Sequence, residues 1–169
     1  ELNAVLWEQR SQEYRAATRN LFAHARLRLD QALADPGWSA SVEQIRSAGP
    51  YPEATAIILD IDETVLDNSP LYARLVQDPD YDLGRGWASW TEQARARVLE
   101  GAVGMIEYAL SKGVHVFFVS NRSCTQDKAT RRNMAAVGFP VDDPRLILIS
   151  RNTAYDDPEK REQPPCTAM

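Results

Sequence analysis

A short apolar run, residues 56–59, ends abruptly in two carboxylates that are one residue apart, Asp60 and Asp62. Such a run is typical of a strand buried on both faces of a parallel sheet. Ligands of open α/β sheets bind beyond the carboxyl ends of the strands, so Asp60 is expected to face a crevice. In strand geometry both carboxylates would point to the same side, and a cation or proton must separate their charges. The pattern favours a magnesium-dependent site in which one aspartate attacks and the other handles protons. A charged turn without chemistry is the alternative reading of this segment.

The size and composition of the chain narrow the function classes. Its 169 residues suffice for one domain with a sizeable core, and 44% hydrophobic and 25% charged residues are ordinary for a globular protein. A net charge of −5 argues against a nucleic-acid polymer as the partner. No apolar stretch is long enough to cross a bilayer. The two cysteines have no zinc-site spacing and do not define a disulfide framework.

The order of predicted elements indicates an α/β fold with a parallel sheet flanked by helices. Further apolar strands are predicted at residues 114–119 and 146–149, with helices at 1–34, 41–48, 90–110 and 125–137. Strands that alternate with helices favour right-handed crossovers between parallel strands. Ser120, Asn121 and Arg122 follow the second strand, so the sequence places them at the same sheet edge as Asp60.

Three segments are predicted along the chain. Residues 1–50 form an N-terminal helical extension, residues 51–150 form the core with a small cap insert at about 67–90, and residues 151–169 form an irregular tail. The insert contains Trp87 and Trp90, which share one face of a helix. These indoles either stack on a base or an aromatic substrate or pack into the core, and the sequence favours neither alternative.

Four segments carry a family resemblance. They are residues 3–7 (Asn-Ala-Val-Leu-Trp) with Ser11-x-Glu13-Tyr14, residues 59–70 (Leu-Asp-Ile-Asp-Glu-Thr-Val-Leu-Asp-Asn-Ser-Pro), Trp87-x-x-Trp90, and residues 117–122 (Phe-Phe-Val-Ser-Asn-Arg). The Asp-x-Asp-x-Thr string resembles the first motif of the haloacid dehalogenase superfamily. The set as a whole resembles the class C acid phosphatases, also called the lipoprotein e family of bacterial 5′-nucleotidases. This resemblance implies a haloacid dehalogenase-like (Rossmann-like) core.

The resemblance also implies roles for individual residues. Asp60 would be the nucleophile that forms an aspartyl-phosphate, and Asp62 would protonate the leaving group and then activate water. Asp60 and the backbone carbonyl of Asp62 would hold Mg²⁺. Ser120 would hold the transferring phosphoryl group, and Lys160 is the candidate for the lysine that neutralises it. The remaining implied substrate-binding residues are Thr64, Trp87, Asn121 and Arg122.

Partners and location follow from the resemblance as well. The implied substrates are small phosphate esters or nucleoside monophosphates, and the implied location is the bacterial periplasm or outer membrane. The chain opens with Glu1 and shows no signal peptide, so membrane attachment is expected only through a lipid anchor upstream of residue 1. A homo-oligomer stays an open option, because a partner chain is a candidate to cover an unpaired sheet edge.

The sequence departs from the family pattern after Ile149. The family's fourth motif, Gly-Asp-Asp/Asn-x-x-Asp, does not follow; Asp156 and Asp157 form an acidic pair, but no apolar strand precedes them. Pro158, Pro164 and Pro165 interrupt a polar tail, so no strand is expected there. Two functions are therefore considered: a phosphomonoesterase, or a truncated, catalytically impaired fragment or pseudoenzyme that acts as a binding or assembly module. Transfer of the phosphate to an alcohol instead of water is a further option.

Overall fold

The computed structural model describes residues 2–46, 54–78 and 80–151, together with the backbone of residues 166–168. Its elements in chain order are α1 (Leu2–Arg10), α2 (Gln12–Ala34), α3 (Val42–Arg46), β1 (Ala56–Leu59), β2 (Leu66–Asp67), α4 (Ser69–Gln77), α5 (Leu83–Gln93), β3 (Arg97–Val98), α6 (Ala102–Ser111), β4 (His115–Ser123), a 3₁₀ turn (Cys124–Gln126), α7 (Asp127–Ala136), β5 (Leu146–Arg151) and β6 (Cys166–Ala168). In the described part of the chain, no helix is both long and apolar enough to cross a membrane.

The main sheet has the strand order β1-β4-β5-β6, in which β1, β4 and β5 are mutually parallel. Residues of these strands alternate between the core and the opposite face: Val116, Phe118 and Leu148 are almost fully buried. The parallel α/β architecture with flanking helices predicted from the sequence is confirmed. Because β1 and β4 run in the same direction, Asp60 and the residues after Val119 lie at the same edge of the sheet.

Of the N-terminal helices, α2 packs against α6 of the core, and α1 packs against α4. Phe22 and Leu29 of α2 belong to the buried core. Phe22 approaches Gly101, where an added Cβ would lie 3.1 Å from the Cβ of Phe22, and Gly101 has a φ of 96°. Both the close approach and the left-handed backbone favour glycine at this position. The predicted helix over residues 1–34 is interrupted at Ser11, whose side chain caps α2 by accepting the Tyr14 N–H (2.9 Å).

A two-stranded antiparallel sheet, β2 paired with β3, brackets the segment that contains α4 and α5. This segment corresponds to the predicted cap insert, although its framing strands extend it to Val98. The predicted helix over 90–110 is wrong between Ala94 and Gly101. Ala94 ends α5 in the left-handed conformation (φ 52°), and β3 separates α5 from α6.

Asn133 of α7 holds the chain between α5 and β3. Its Nδ2 donates to the Ala96 carbonyl (2.8 Å), and its Oδ1 accepts the Ala96 N–H (2.9 Å). Arg132 donates through Nη2 to the carbonyl of Glu92, near the end of α5 (2.5 Å). These contacts satisfy backbone groups that a continuous helix would have paired internally, so they explain why the helix stops.

The expectation that no strand forms in the tail is wrong. Cys166–Ala168 form β6, which pairs antiparallel with β5. A short antiparallel strand needs only main-chain N–H and C=O groups at the edge of β5, and Pro164 and Pro165 precede it in the sequence and remove none of its donors.

Cys124 is disulfide-bonded, which the two-cysteine count did not predict.

Candidate active site

A tight turn follows β1 and carries the first motif. The carbonyl of Ile61 accepts hydrogen bonds from the N–H groups of Thr64 (3.3 Å), Val65 (2.9 Å) and Leu66 (2.9 Å). Glu63 adopts a positive φ of 56°, which is uncommon for a residue with a side chain. The turn reverses the chain immediately after the two aspartates and therefore leaves both at the sheet edge.

The side chain of Glu63 stabilises this turn. Its Oε1 accepts the backbone N–H of Asn68 (2.9 Å), and its Oε2 accepts the hydroxyl of Tyr72 (3.2 Å). Burial is the largest cause of a raised pKa for Glu63, and the nearby Asp62 contributes in the same direction. Burial and the Glu63 carboxylate together raise the pKa of Tyr72 to about 12.

Asp60 is exposed at the end of β1. Its Oδ1 accepts the N–H of Ile61 (2.7 Å), and its Oδ2 makes no hydrogen bond to any residue that the structure describes. Within the described part of the chain, Oδ1 is therefore held and Oδ2 is available to a substrate. This is the arrangement that a carboxylate nucleophile requires.

Asp62 is held from two sides. Its Oδ1 accepts hydrogen bonds from Asn68 Nδ2 (2.8 Å) and Arg122 Nη2 (2.6 Å), whereas its Oδ2 accepts from Arg122 Nε (3.0 Å). The Asp62 side chain is only 17% exposed. Because Oδ1 has the shorter and more numerous contacts, Oδ2 is the oxygen better able to exchange a proton with a bound substrate.

Arg122 lies beneath the site rather than on its surface. The side chain is 1% exposed. Besides Asp62, its guanidinium donates through Nη1 to the hydroxyl of Thr130 (3.1 Å), and it lies 5.8 Å from the centre of the Trp87 ring. The sequence resemblance implied substrate binding for Arg122, whereas in this structure its described contacts are with Asp62, Thr130 and Trp87.

The two tryptophans of α5 have different environments. Trp90 is buried and donates through Nε1 to Asn68 Oδ1 (2.8 Å). Trp87 is half-buried beside Arg122 and also packs against the hydrophobic core. Core packing thus describes both indoles, and Trp87, the less buried of the two, remains the candidate for stacking on a substrate ring.

The other predicted site residues are distributed around this edge. Ser120 is buried in β4, and its Oγ accepts the N–H of Arg122 (3.1 Å); its hydroxyl proton has no acceptor among the described residues. Asn121 is exposed and Thr64 is half-buried. Lys160, like Asp156 and Asp157, lies outside the described residues.

Asn68 and Thr130 are functional candidates that the sequence analysis missed. Both are fully buried and polar, and both reach Asp62 or its partner Arg122. Asn68 lies within the motif string of residues 59–70, which was the available signal. Thr130 gave none, because it looks like an ordinary residue of α7.

The chemistry of the donor set permits a magnesium ion. Mg²⁺ prefers oxygen ligands and commonly takes one or two protein carboxylates, with waters and substrate phosphate in the other positions. Oδ1 of Asp60 keeps a second lone pair beside the one that accepts the Ile61 N–H, so it can bind the ion while Oδ2 stays available for attack. The carboxylate of Asp62 is engaged, so only its backbone carbonyl is suited to this role. Among the described residues, no three His, Cys, Asp or Glu side chains are grouped so that they can hold a metal. The described residues thus offer Mg²⁺ two protein ligands, Asp60 and the carbonyl of Asp62, and water and substrate phosphate would complete its coordination.

The chain belongs to the acid phosphatases of the haloacid dehalogenase (HAD) superfamily, subfamily IIIB, whose family model matches residues 2–162. It is similar to the class C acid phosphatase from Bacillus anthracis with tungstate bound, at 32% identity and a TM-score of 0.74, over 95% of this chain and 61% of that one. A second structure of the Bacillus anthracis enzyme matches at 31% identity with the same TM-score.

A curated relative is acid phosphatase 1 from Solanum lycopersicum. It is 25% identical over 119 residues, which cover 62% of this chain and 44% of the relative. The chain therefore spans less than two thirds of the length of the relatives it matches.

Proposed function

We propose that the protein is a phosphomonoesterase that acts through a phosphorylated aspartate. The observation that carries this proposal is the pair formed by Asp60 and Asp62. Among the residues that the structure describes, none donates a hydrogen bond to Oδ2 of Asp60 at the end of β1, while Asp62 is held by Asn68 and Arg122 with Oδ2 the less engaged oxygen. An available nucleophile beside a fixed proton-transfer group is the pair that acyl-phosphate chemistry needs.

In the first step, Oδ2 of Asp60 attacks phosphorus and the bond between phosphorus and the ester oxygen breaks. The departing oxygen takes a proton from Asp62, so the products are the alcohol and an aspartyl-phosphate. In the second step, a water attacks phosphorus while the carboxylate of Asp62 accepts its proton, and the bond from Asp60 to phosphorus breaks. Inorganic phosphate leaves, and both aspartates return to their starting states.

The remaining residues bind the phosphoryl group and the substrate. Ser120, whose hydroxyl proton has no acceptor in the described part of the chain, would donate to a phosphoryl oxygen. Asp60 and the carbonyl of Asp62 would hold Mg²⁺. That ion supplies charge neutralisation for the phosphoryl oxygens when it is bound.

Substrates are proposed to be small phosphate esters, including nucleoside monophosphates. The partial exposure of Trp87 supports a stacking role for an aromatic group or base. Tungstate is an oxyanion that the Bacillus anthracis phosphatase binds. We therefore expect tungstate to compete with phosphate esters at this site.

The test compares Asp60→Asn with wild type in hydrolysis of an activated aryl phosphate with added magnesium. The variant keeps the shape of the side chain and removes the attacking charge, so turnover should fall to background. Asp142→Asn is the matched control, because Asp142 is exposed and is not among the proposed site residues. Substantial turnover by Asp60→Asn in a preparation free of other phosphatases would overturn the assignment.

A further inference from the structure

Helix α5 is connected to Asp62 through two separate contacts. Trp90 donates through Nε1 to Asn68 Oδ1 (2.8 Å), and Asn68 donates through Nδ2 to Asp62 Oδ1 (2.8 Å). One helical turn earlier, the centre of the Trp87 ring lies 5.8 Å from the Arg122 guanidinium, which forms a hydrogen-bonded ion pair with the same carboxylate. The two tryptophans thus reach the two residues that hold Asp62.

The indole of Trp90 determines which way the Asn68 amide faces. An indole N–H is a donor only, so the amide oxygen of Asn68 must face Trp90 and its NH₂ group must face Asp62. The backbone of Asn68 is fixed as well, because its N–H donates to Glu63 Oε1 (2.9 Å) and its carbonyl accepts the Leu71 N–H (2.9 Å). Asn68 is 0% exposed, so no solvent competes for these groups.

Arg122 is fixed in a comparable way. Nη1 is held by Thr130 of α7 (3.1 Å), and Nε and Nη2 form a fork on Asp62. A lysine cannot reproduce this fork, because it carries one point charge and no planar pair of donors. Asp62 therefore lies between a neutral donor linked to α5 and a charged donor linked to α7.

We propose that α5 positions the proton-transfer carboxylate: Trp90 acts through Asn68, and Trp87 acts through Arg122. Together they place most of the contacts on Oδ1 of Asp62 and leave Oδ2, which accepts only from Arg122 Nε, as the oxygen for the substrate. Trp90, Asn68 and Arg122 are positioning residues for this step. This inference rests on the proposed function for its kinetic consequence, whereas the coupling between Trp90 and Asp62 is a property of the folded chain that can be measured without turnover.

The kinetic arm uses Trp90→Phe, which retains an aromatic ring and removes only the N–H donor. Loss of one hydrogen bond should reduce kcat by up to about tenfold for an alkyl phosphate, whose leaving group needs the proton. An activated aryl phosphate should be nearly unaffected, and KM should change little. Trp38→Phe is the control, because Trp38 is 47% exposed and lies outside the site. Equal losses on both esters would assign Trp90 a structural role only and overturn the proposal.

The second arm measures the coupling by NMR. The four tryptophans give four indole N–H signals, and Trp90→Phe identifies the one from Trp90. In Asp62→Ala, the Asn68 amide loses its acceptor, so the Trp90 indole signal should shift and its exchange with solvent should accelerate. The Trp38 signal should not change. An unchanged Trp90 signal would overturn the proposal even if the enzyme is active. If wild type shows no turnover, the proposed function fails, and a shifted signal still establishes the coupling.

Discussion

Replacement of Asn133 by leucine should destabilise the protein strongly. Asn133 is 2% exposed and pairs with both backbone groups of Ala96, which is itself 2% exposed. Leucine has a similar size and no hydrogen-bonding atoms. The change therefore leaves one N–H and one C=O of Ala96 buried without partners, and it creates little cavity.

The magnitude follows from these two groups. Each buried polar group left unsatisfied costs about 1–3 kcal/mol, so the free energy of unfolding should fall by about 2–6 kcal/mol. Leucine is the better helix former by at most about 0.7 kcal/mol, which offsets a small part of the loss. The whole free energy of unfolding of a native domain is only about 5–15 kcal/mol, so the variant should be close to unfolding.

Urea denaturation followed by tryptophan fluorescence and far-UV circular dichroism measures this loss. The denaturation midpoint should fall, and the melting temperature should drop by about 4 °C or more, since about 2–4 °C corresponds to 1 kcal/mol at this chain length. Asn20→Leu is the matched control, because Asn20 is exposed on α2. A loss below about 1 kcal/mol for Asn133→Leu would refute the reasoning that these hydrogen bonds end α5 and hold the following loop.

Three further predictions concern the site. Asp62→Asn should impair hydrolysis of an alkyl phosphate more than that of an activated aryl phosphate, by up to about 10²–10⁴-fold, and equal losses would contradict the acid role. Trp87→Ala should weaken the binding of nucleotides by about 1–3 kcal/mol and leave the binding of small phosphate esters unchanged. Trp38→Ala should change neither. Tyr72 has a pKa raised to about 12, so tyrosine ionises first in the unfolded chain and stability should fall as the pH rises from about 10 to about 12. Tyr72→Phe should lack this component in urea titrations across that range.

The sequence was sufficient for the parallel strands of the sheet, but not for the antiparallel strand β6. An apolar run that ends in Asp60 and a second run that ends near Ser120 define parallel strands, and ligands bind where such strands end. Local signals could not predict where α5 stops. Nothing around Ala94 resembles a helix terminator, and the break is set by Asn133, which is 37 residues from its partner Ala96.

The role of Arg122 was equally inaccessible to local reasoning. The family resemblance implied a substrate contact for Arg122, yet its partner Asp62 is 60 residues away in sequence. Only the parallel register of β1 and β4 brings the two side chains together. The same holds for the contact between Trp90 and Asn68: the spacing of Trp87 and Trp90 identifies a helix face but not the acceptor that the Trp90 indole meets.

Detection of a phosphorylated Asp60 tests the central claim most directly. The chain is mixed with a labelled phosphate ester and magnesium, quenched with acid within one turnover, digested and analysed by mass spectrometry. Phosphate is predicted on the peptide that contains Asp60; it should be lost in alkali, as an acyl phosphate is, and it should be absent from Asp60→Asn. Turnover without any covalent phosphate, or phosphate on another residue, would contradict the account.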